Sequence, residues 1–451
     1  MTLRLFVEIR LYNSWSNKIE TLRPIKSGHI SMYVCGPTVY DYVHVGNLRP
    51  VVVFDVLRRF LEYMGYKVMY VSNYTDIDDK IIQKALSSQK NEREIADFFI
   101  KAYEEDVLAL NSRLPTITPR VASFINEIID YIGRLIEKGA AYVVDGEVFF
   151  NIASIQDYGH LSNMKTDELI IGARVEESFK KRSPLDFILW KKTTEGISFD
   201  SPWGKGRPGW HTECAVMINS LFKDKLIDIH GGGFDLKFPH HDNEIAQSMA
   251  INGTRLANVW MHNGFITLND DKMSKSRGNI FSSKQALSEI GGPALRLMLL
   301  ATHYRLPVNL TESFLENAKV EINKMTLAMR QVAVALQLAH FDVGGEYPLL
   351  LDSFLTALSD DLNTSNALTS INDLIKEINR ELRVSHRDYP KLASCFFTLK
   401  MMFNILGLDI KFPILSTADR LLFVQYQQLK DAKDYQGSDT IRAQLIARGL
   451  L

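Results

Sequence analysis

The apolar run Ser31-Met-Tyr-Val-Cys-Gly36 has the length of a short buried strand, and after a turn residues 46–63 carry the apolar spacing of a helix. Residues 67–73 repeat the strand pattern. Strands alternating with helices predict a parallel sheet with crossover helices, whose ligands bind outside the carboxyl ends of the strands, so functional residues are expected to follow strands. From about Thr118 the pattern changes to one helix through Ala140, then to a hairpin over residues 142–150 centred on Asp145-Gly146. Strand-like pieces return at residues 226–230 and 258–262, so the sheet is expected to be split by an insertion of about 85 to 100 residues. Beyond Glu312 every long segment has helical spacing, which predicts an all-α bundle.

Length and composition agree with this division. At about 150 residues per domain, the 451-residue chain has room for several domains. Hydrophobic residues at 46% and charged residues at 23% give ordinary globular usage, excluding a disordered or collagen-like chain. With 52 basic and 53 acidic residues, nucleic-acid contacts must come from local patches rather than from overall charge. The opening apolar run is broken by Arg4, Glu8 and Arg10, and no stretch approaches the ~18 apolar residues of a membrane span. A cytoplasmic protein with no membrane partner is expected. Cys35, Cys214 and Cys395 are too few and too dispersed for a disulfide framework, so reduced thiols are expected.

Two segments carry chemistry that suits a nucleotide. His44-Val-Gly-Asn47 follows the first strand and opens a helix, placing side-chain donors and backbone amides where a phosphate can rest. The same residues also read as a capping turn with an incidental histidine. In Asp270-Asp-Lys-Met-Ser-Lys-Ser-Arg-Gly-Asn279, Lys272 and Lys275 lie on a Ser- and Gly-containing loop suited to anionic oxygens, or simply to solvent. Together, in this order and on either side of an insertion, the two resemble the nucleotide-binding signatures of class I aminoacyl-tRNA synthetases.

Other residues suit a metal. In Phe238-Pro-His-His-Asp-Asn-Glu244, Pro239 in the first turn of a helix would put His240 and Glu244 on one face. With Cys35 and Cys214 they form an acceptable zinc set, although the thiols match no local zinc pattern and a His-x-x-x-Glu pair is commonly a surface pair. The segments Tyr33-Val-Cys-Gly-Pro-Thr-Val-Tyr-Asp41, Thr75-Asp-Ile-Asp-Asp-Lys80, Gly206-Arg-Pro-Gly-Trp-His211 and His230-Gly-Gly-Gly-Phe-Asp-Leu236 resemble those of cysteinyl-tRNA synthetases, from about residue 10 to the end.

The resemblance implies a Rossmann-like α/β catalytic domain in two halves, 1–120 and 205–311. A connective insertion, 121–204, separates them, and a helical stem and anticodon-binding domain, 312–451, follows. It implies one zinc per chain on Cys35, Cys214, His240 and Glu244, with His241 outside the ligand set. Gly36, Thr75 and Trp210 would line the cysteine pocket. His44, Asn47, Lys272 and Lys275 would be the catalytic contacts to ATP, Lys275 reaching its phosphates, and Asp235 and a Gly231-Gly-Gly233 turn would lie beside the adenosine. Magnesium would accompany ATP. The implied reaction joins L-cysteine to tRNA(Cys) through a cysteinyl-adenylate in a monomeric enzyme. Discrimination of thiol from alcohol by zinc would make editing unnecessary.

Lys376, Arg380, Arg383 and Arg387 recur at three or four residues up to Pro390, either as a solvated face or as a tRNA contact. Asp360-Asp-Leu-Asn-Thr-Ser-Asn-Ala-Leu368 resembles an anticodon-domain motif and supports contact, whereas Cys395 reads as a buried thiol. Departures from the family are Asn47 for a histidine, Asp242 for a glutamate, and an ending at Arg448-Gly-Leu-Leu451 in place of a Gly-Thr-x-Trp tail, where anticodon reading is expected to differ. Two other functions share part of these features: a ligase joining cysteine to an amino sugar in thiol-cofactor synthesis, and a non-catalytic RNA-binding relative.

Overall fold

The computed structural model describes residues 7–164, 180–268, 271–272, 280–341, 345 and 347–451. Two compact units emerge: one of residues 8–289 and 304–310, the other of 290–303 and 311–451. The helical unit thus takes in residues 290–303, upstream of the expected start at 312.

In the first unit four parallel strands build the central sheet: β1 (His29–Val34), β2 (Lys67–Ser72), β3 (Ile227–Gly233) and β4 (Ala257–Asn263), in the spatial order β4-β3-β1-β2. The strands predicted at 31–36, 67–73, 226–230 and 258–262 are all present, shifted by a few residues. Register pairs Tyr33 with His230 and Asn263 with Gly233. The chain leaves β1 toward β2 and leaves β3 toward β4, in opposite directions across the sheet. Between β1 and β3 lies a topological switch point, where the connections diverge and leave a crevice at the strand ends.

Helix α1 (Val45–Tyr63) covers one face of the sheet, burying Val52, Val53, Phe54 and Val56. Gly231 in β3 admits this contact, since a Cβ there would overlap the Phe54 ring. Arg49 of α1 is fully buried and donates to the carbonyls of Gly264 (2.7 Å) and Phe265 (3.2 Å), tying the helix to the segment that leaves β4. Those bonds hold a charge that burial would otherwise make costly, and burial lowers the guanidinium pKa to about 10.

The predicted insertion, 121–204, carries the helix Ile125–Glu137 and three strands of an antiparallel sheet, Ala141–Val144, Glu147–Phe150 and Phe187–Lys192, whose fourth strand, Gly206–Pro208, lies just past the expected end. Asp145 and Gly146 both have positive φ (51° and 84°), the requirement of a two-residue hairpin turn. The insertion feeds directly into helix α2 (Trp210–Leu221): Gly209 donates to the Leu189 carbonyl at 2.8 Å, and a side chain at Gly209 would strike the Ile188 carbonyl. This sheet therefore sets where α2 begins. Helix α3 (Asp242–Asn252) follows β3.

The second unit is helical, with Gly292–Ala301, Glu312–Leu338, Pro348–Ser359, Thr364–Arg383, Tyr389–Leu406, Thr417–Asp431 and Tyr435–Ala447. The basic stripe does not run on one helix to Pro390. Its helix ends at Arg383, Arg387 lies in the connection, and Pro390 sits in the first turn of the next helix, where its missing N–H is harmless. Lys376 and Arg380 pair with Asp373 and Glu377 on their own helix. Cys395 is buried as expected, and burial raises its thiol pKa to about 11. Among the described residues no helix is long and apolar enough to cross a membrane.

The packing of Gly231 on Phe54 makes a stability prediction. Gly231→Ala should lower the free energy of unfolding by about 1–3 kcal/mol through overpacking, and adding Phe54→Leu should recover part of it. Urea denaturation of the single and double variants measures both.

Candidate active site and metal centre

Cys35 leaves the end of β1 at the switch point, its amide donating to the Gly231 carbonyl at 3.2 Å. Cys214 comes from the second turn of α2, Glu244 from the first turn of α3, and His240 from the turn before α3. Their ligand atoms lie within 4.8 Å of one another. The two Sγ atoms are 3.6 Å apart and Cys35 Sγ is 3.6 Å from Glu244 Oε1. Tetrahedral zinc at its usual bond lengths separates such donors by about 3.3–3.8 Å, so the cluster fits the ion. His240 Nε2 is closer to Glu244 Oε1, at 2.8 Å, as a direct ion pair.

The charges also suit a cation. Cys214, Glu244 and His240 are buried. Burial pushes the Cys35 thiol well up, reinforced by Cys214 and Glu244. The Cys214 thiol falls to about 6, chiefly because Cys35 donates to it. Burial works against the charge of His240, but Glu244 and Cys214 outweigh it and raise the imidazole to about 10. Glu244 is likewise held well below the carboxylate range, against burial, by His230 and His240. The His240 proton stands in for the charge that a divalent ion would bring.

A layer of histidines fixes this set. His230 Nε2 meets Glu244 Oε2 at 2.6 Å, and His211 Nδ1 lies 3.1 Å from His240 Nδ1. His241 Nε2 is 3.4 Å from Cys35 Sγ, its Nδ1 2.8 Å from His262 Nε2, and His262 Nδ1 2.8 Å from Ser14 Oγ. A second group, Cys35, His230, His241 and Glu244, also brings its ligand atoms within 4.8 Å, so His241 has the geometry of an alternative donor as well as a supporting one. His230 opens the family-like segment 230–236, but nothing in the sequence tied it to Glu244. Trp210 stacks on His240, with centroids 4.6 Å apart and planes 21° apart, and is 41% exposed. Thr75 donates to Glu213 at 2.9 Å and accepts from Asn73 at 3.2 Å. The Gly36 amide donates to Asn73 Oδ1 at 3.0 Å.

A cavity of about 420 Å³ opens beside the cluster along the carboxyl ends of the strands. Of the sequence-predicted residues it brings together Cys35, Gly36, His44, Asn47, Trp210, Gly233 and Asp235. Asn47 Oδ1 accepts from the His44 amide at 3.1 Å and so caps α1, while both residues also line the cavity. Thr75 lies behind the wall rather than in it. Gly231 and Gly232 do not form a turn: they continue β3 and face Phe54 and His241, because both sides of the strand are covered by helices. Lys272 pairs with Thr267 through its strand, its side chain and Lys275 lying outside the described residues. Asn263 also lines the cavity, although the sequence drew no attention to it beyond its position after a strand.

Comparisons with known proteins identify the family. A model of the class I (C) tRNA synthetase catalytic domain matches residues 21–320, and a DALR domain model matches 353–411. A cysteine–tRNA ligase of Halalkalibacterium halodurans is 42% identical, with 98% of this chain and 97% of the relative covered. One of Anoxybacillus flavithermus is 40% identical, with 99% and 97% covered. A methionyl-tRNA synthetase structure from Mycobacterium tuberculosis, bound by methionyl-adenylate, superposes with a TM-score of 0.61 at 15% identity, covering 84% of this chain and 92% of that one, a likeness of fold. With a split parallel sheet, a helical unit after it and matches of this extent, the chain belongs to the class I tRNA synthetases, in the cysteine–tRNA ligase family.

Proposed function

We propose that the protein joins L-cysteine to tRNA(Cys) with ATP through a cysteinyl-adenylate, and that Cys35, Cys214, His240 and Glu244 hold one zinc ion. The observation carrying this reading is the cluster of two thiols, an imidazole and a carboxylate at the edge of a cavity that begins with Cys35 and reaches the amino end of α1. Zinc bound there supplies a soft Lewis acid that takes a thiolate in preference to an alcohol. This distinction is needed because an apolar pocket separates sulfur from oxygen poorly.

The chain's own residues do the remaining work. Trp210 covers the amino-acid end, and the Gly36 amide, held by Asn73, sets the backbone beside Cys35. His44 and Asn47 lie at the amino end of α1, where the positive end of the helix dipole would stabilise phosphate oxygens. The carboxylate of cysteine would attack the α-phosphate in line with departing pyrophosphate, with Lys272, Lys275 and magnesium balancing the developing charge. No protein nucleophile is required. The cysteinyl group then passes to the terminal ribose of tRNA, which the helical unit engages. A cytoplasmic location accompanies this role.

Transfer of labelled cysteine to unfractionated tRNA, run beside serine and beside cysteine-dependent pyrophosphate exchange without tRNA, tests the reading. Label on tRNA from cysteine alone is expected. Exchange without transfer would instead indicate the amino-sugar ligase.

Cys214→Ser should lower metal affinity by more than about 100-fold and abolish cysteine-dependent exchange with it. Metal analysis beside exchange checks the coupling, and full exchange by metal-free protein would contradict it. Trp210→Ala should retain the metal yet raise the KM for cysteine about two- to tenfold through loss of one aromatic contact, read from exchange at varied cysteine.

A further inference from the structure

Asn263 ends β4, directly opposite Gly233, and lines the cavity while being 4% exposed. Its Nδ2 donates to the Gly264 carbonyl at 3.3 Å. Its Oδ1 is buried and has no hydrogen-bond donor among the described residues. An acceptor desolvated without a partner is destabilising by roughly the strength of the bond it lacks, and such groups in native proteins call for an explanation. A ligand donor in the cavity would supply one.

The position says which part of a ligand this is. Cys35 follows β1, and β4 lies two strands away, roughly 10 Å at the usual strand spacing, with β3 between them. A molecule with its amino-acid end at the metal cluster and its phosphates near His44 would bring its nucleoside toward Gly233, Asp235 and Asn263. Asp235 is a carboxylate that accepts only, which suits ribose hydroxyls. Asn263 presents one acceptor and, with the second hydrogen of Nδ2, one donor. That pair matches the edge of adenine, whose 6-amino group donates beside a ring nitrogen that accepts. Guanine would oppose its 6-oxygen to Oδ1.

We propose that Asn263 is the residue that selects adenine, its Oδ1 accepting from the 6-amino group of the nucleotide. The assignment rests on the adenylate-forming reading above.

The test compares ATP, the triphosphate of purine riboside, which lacks the 6-amino group, and 2′-deoxy-ATP, in the wild type, Asn263→Ala and Asn263→Leu. Cysteine-dependent pyrophosphate exchange gives KM for each nucleotide, and equilibrium dialysis without cysteine gives its affinity. Removing the 6-amino group should weaken nucleotide binding to the wild type by at least about fivefold, and this penalty should vanish in both variants. The penalty for the 2′-deoxy sugar should persist in all three proteins. The idea is overturned if the wild type is indifferent to the 6-amino group, if the variants keep the whole penalty, or if they lose the 2′-deoxy penalty instead, which would assign Asn263 to the ribose. Melting temperature and metal content show whether each variant folds, and the wild-type arm decides by itself if neither does. Absence of exchange with ATP in the wild type would defeat the activation reading, while the dialysis measurements would still judge Asn263.

Discussion

Burying a carboxylate away from water is costly by several kcal/mol unless it is paired and hydrogen-bonded, and Glu244 has no exposed surface at all. Its two oxygens are taken by His230 at 2.6 Å and His240 at 2.8 Å. Those histidines come from different elements, one inside β3 and one just before α3, so the burial of this charge requires strand and helix to meet in a single arrangement. Cys35 and Cys214 bring β1 and α2 to the same point. Any displacement of one element would leave a charge unpaired in the interior, and the switch-point crevice inherits its geometry from that requirement.

The insertion contributes to the site by support rather than by chemistry. Its sheet ends at Pro208, Gly209 is fastened to Leu189, and Trp210 opens α2 at the next residue. The stacking of Trp210 on His240 therefore depends on the sheet that runs into α2. On the other side of the crevice, Arg49 clasps the carbonyls after β4 and so holds the amino end of α1 and the end of β4 together. One end of the cavity is defined between those two elements.

Much of this was legible in the linear chain. Short, largely apolar runs marked all four central strands because a parallel sheet covered on both faces buries most of their positions, and Asp145-Gly146 marked its hairpin because few residues tolerate that turn. The zinc set was reached through family resemblance, since Cys35 and Cys214 lie in separate elements and no local spacing connects them. The basic stripe misled at its end: Arg387 continued the spacing, but the spacing does not show that the helix stops at Arg383. The resemblance implied a turn at Gly231 and Gly232, whereas here they thin a strand for Phe54 and His241.

What the sequence by itself determined is what local physics can carry: element type, the split of the sheet, the helical second part, and the residue types able to hold a metal or meet a phosphate. Tertiary structure alone decided which groups share a dry interior. The orienting of Glu244 by His230, the second donor geometry of His241, the withdrawal of Thr75 behind the cavity wall and the unpartnered oxygen of Asn263 all depend on distances across elements. Hydrogen bonding and desolvation act over a few ångströms in space, and sequence separation does not encode that proximity.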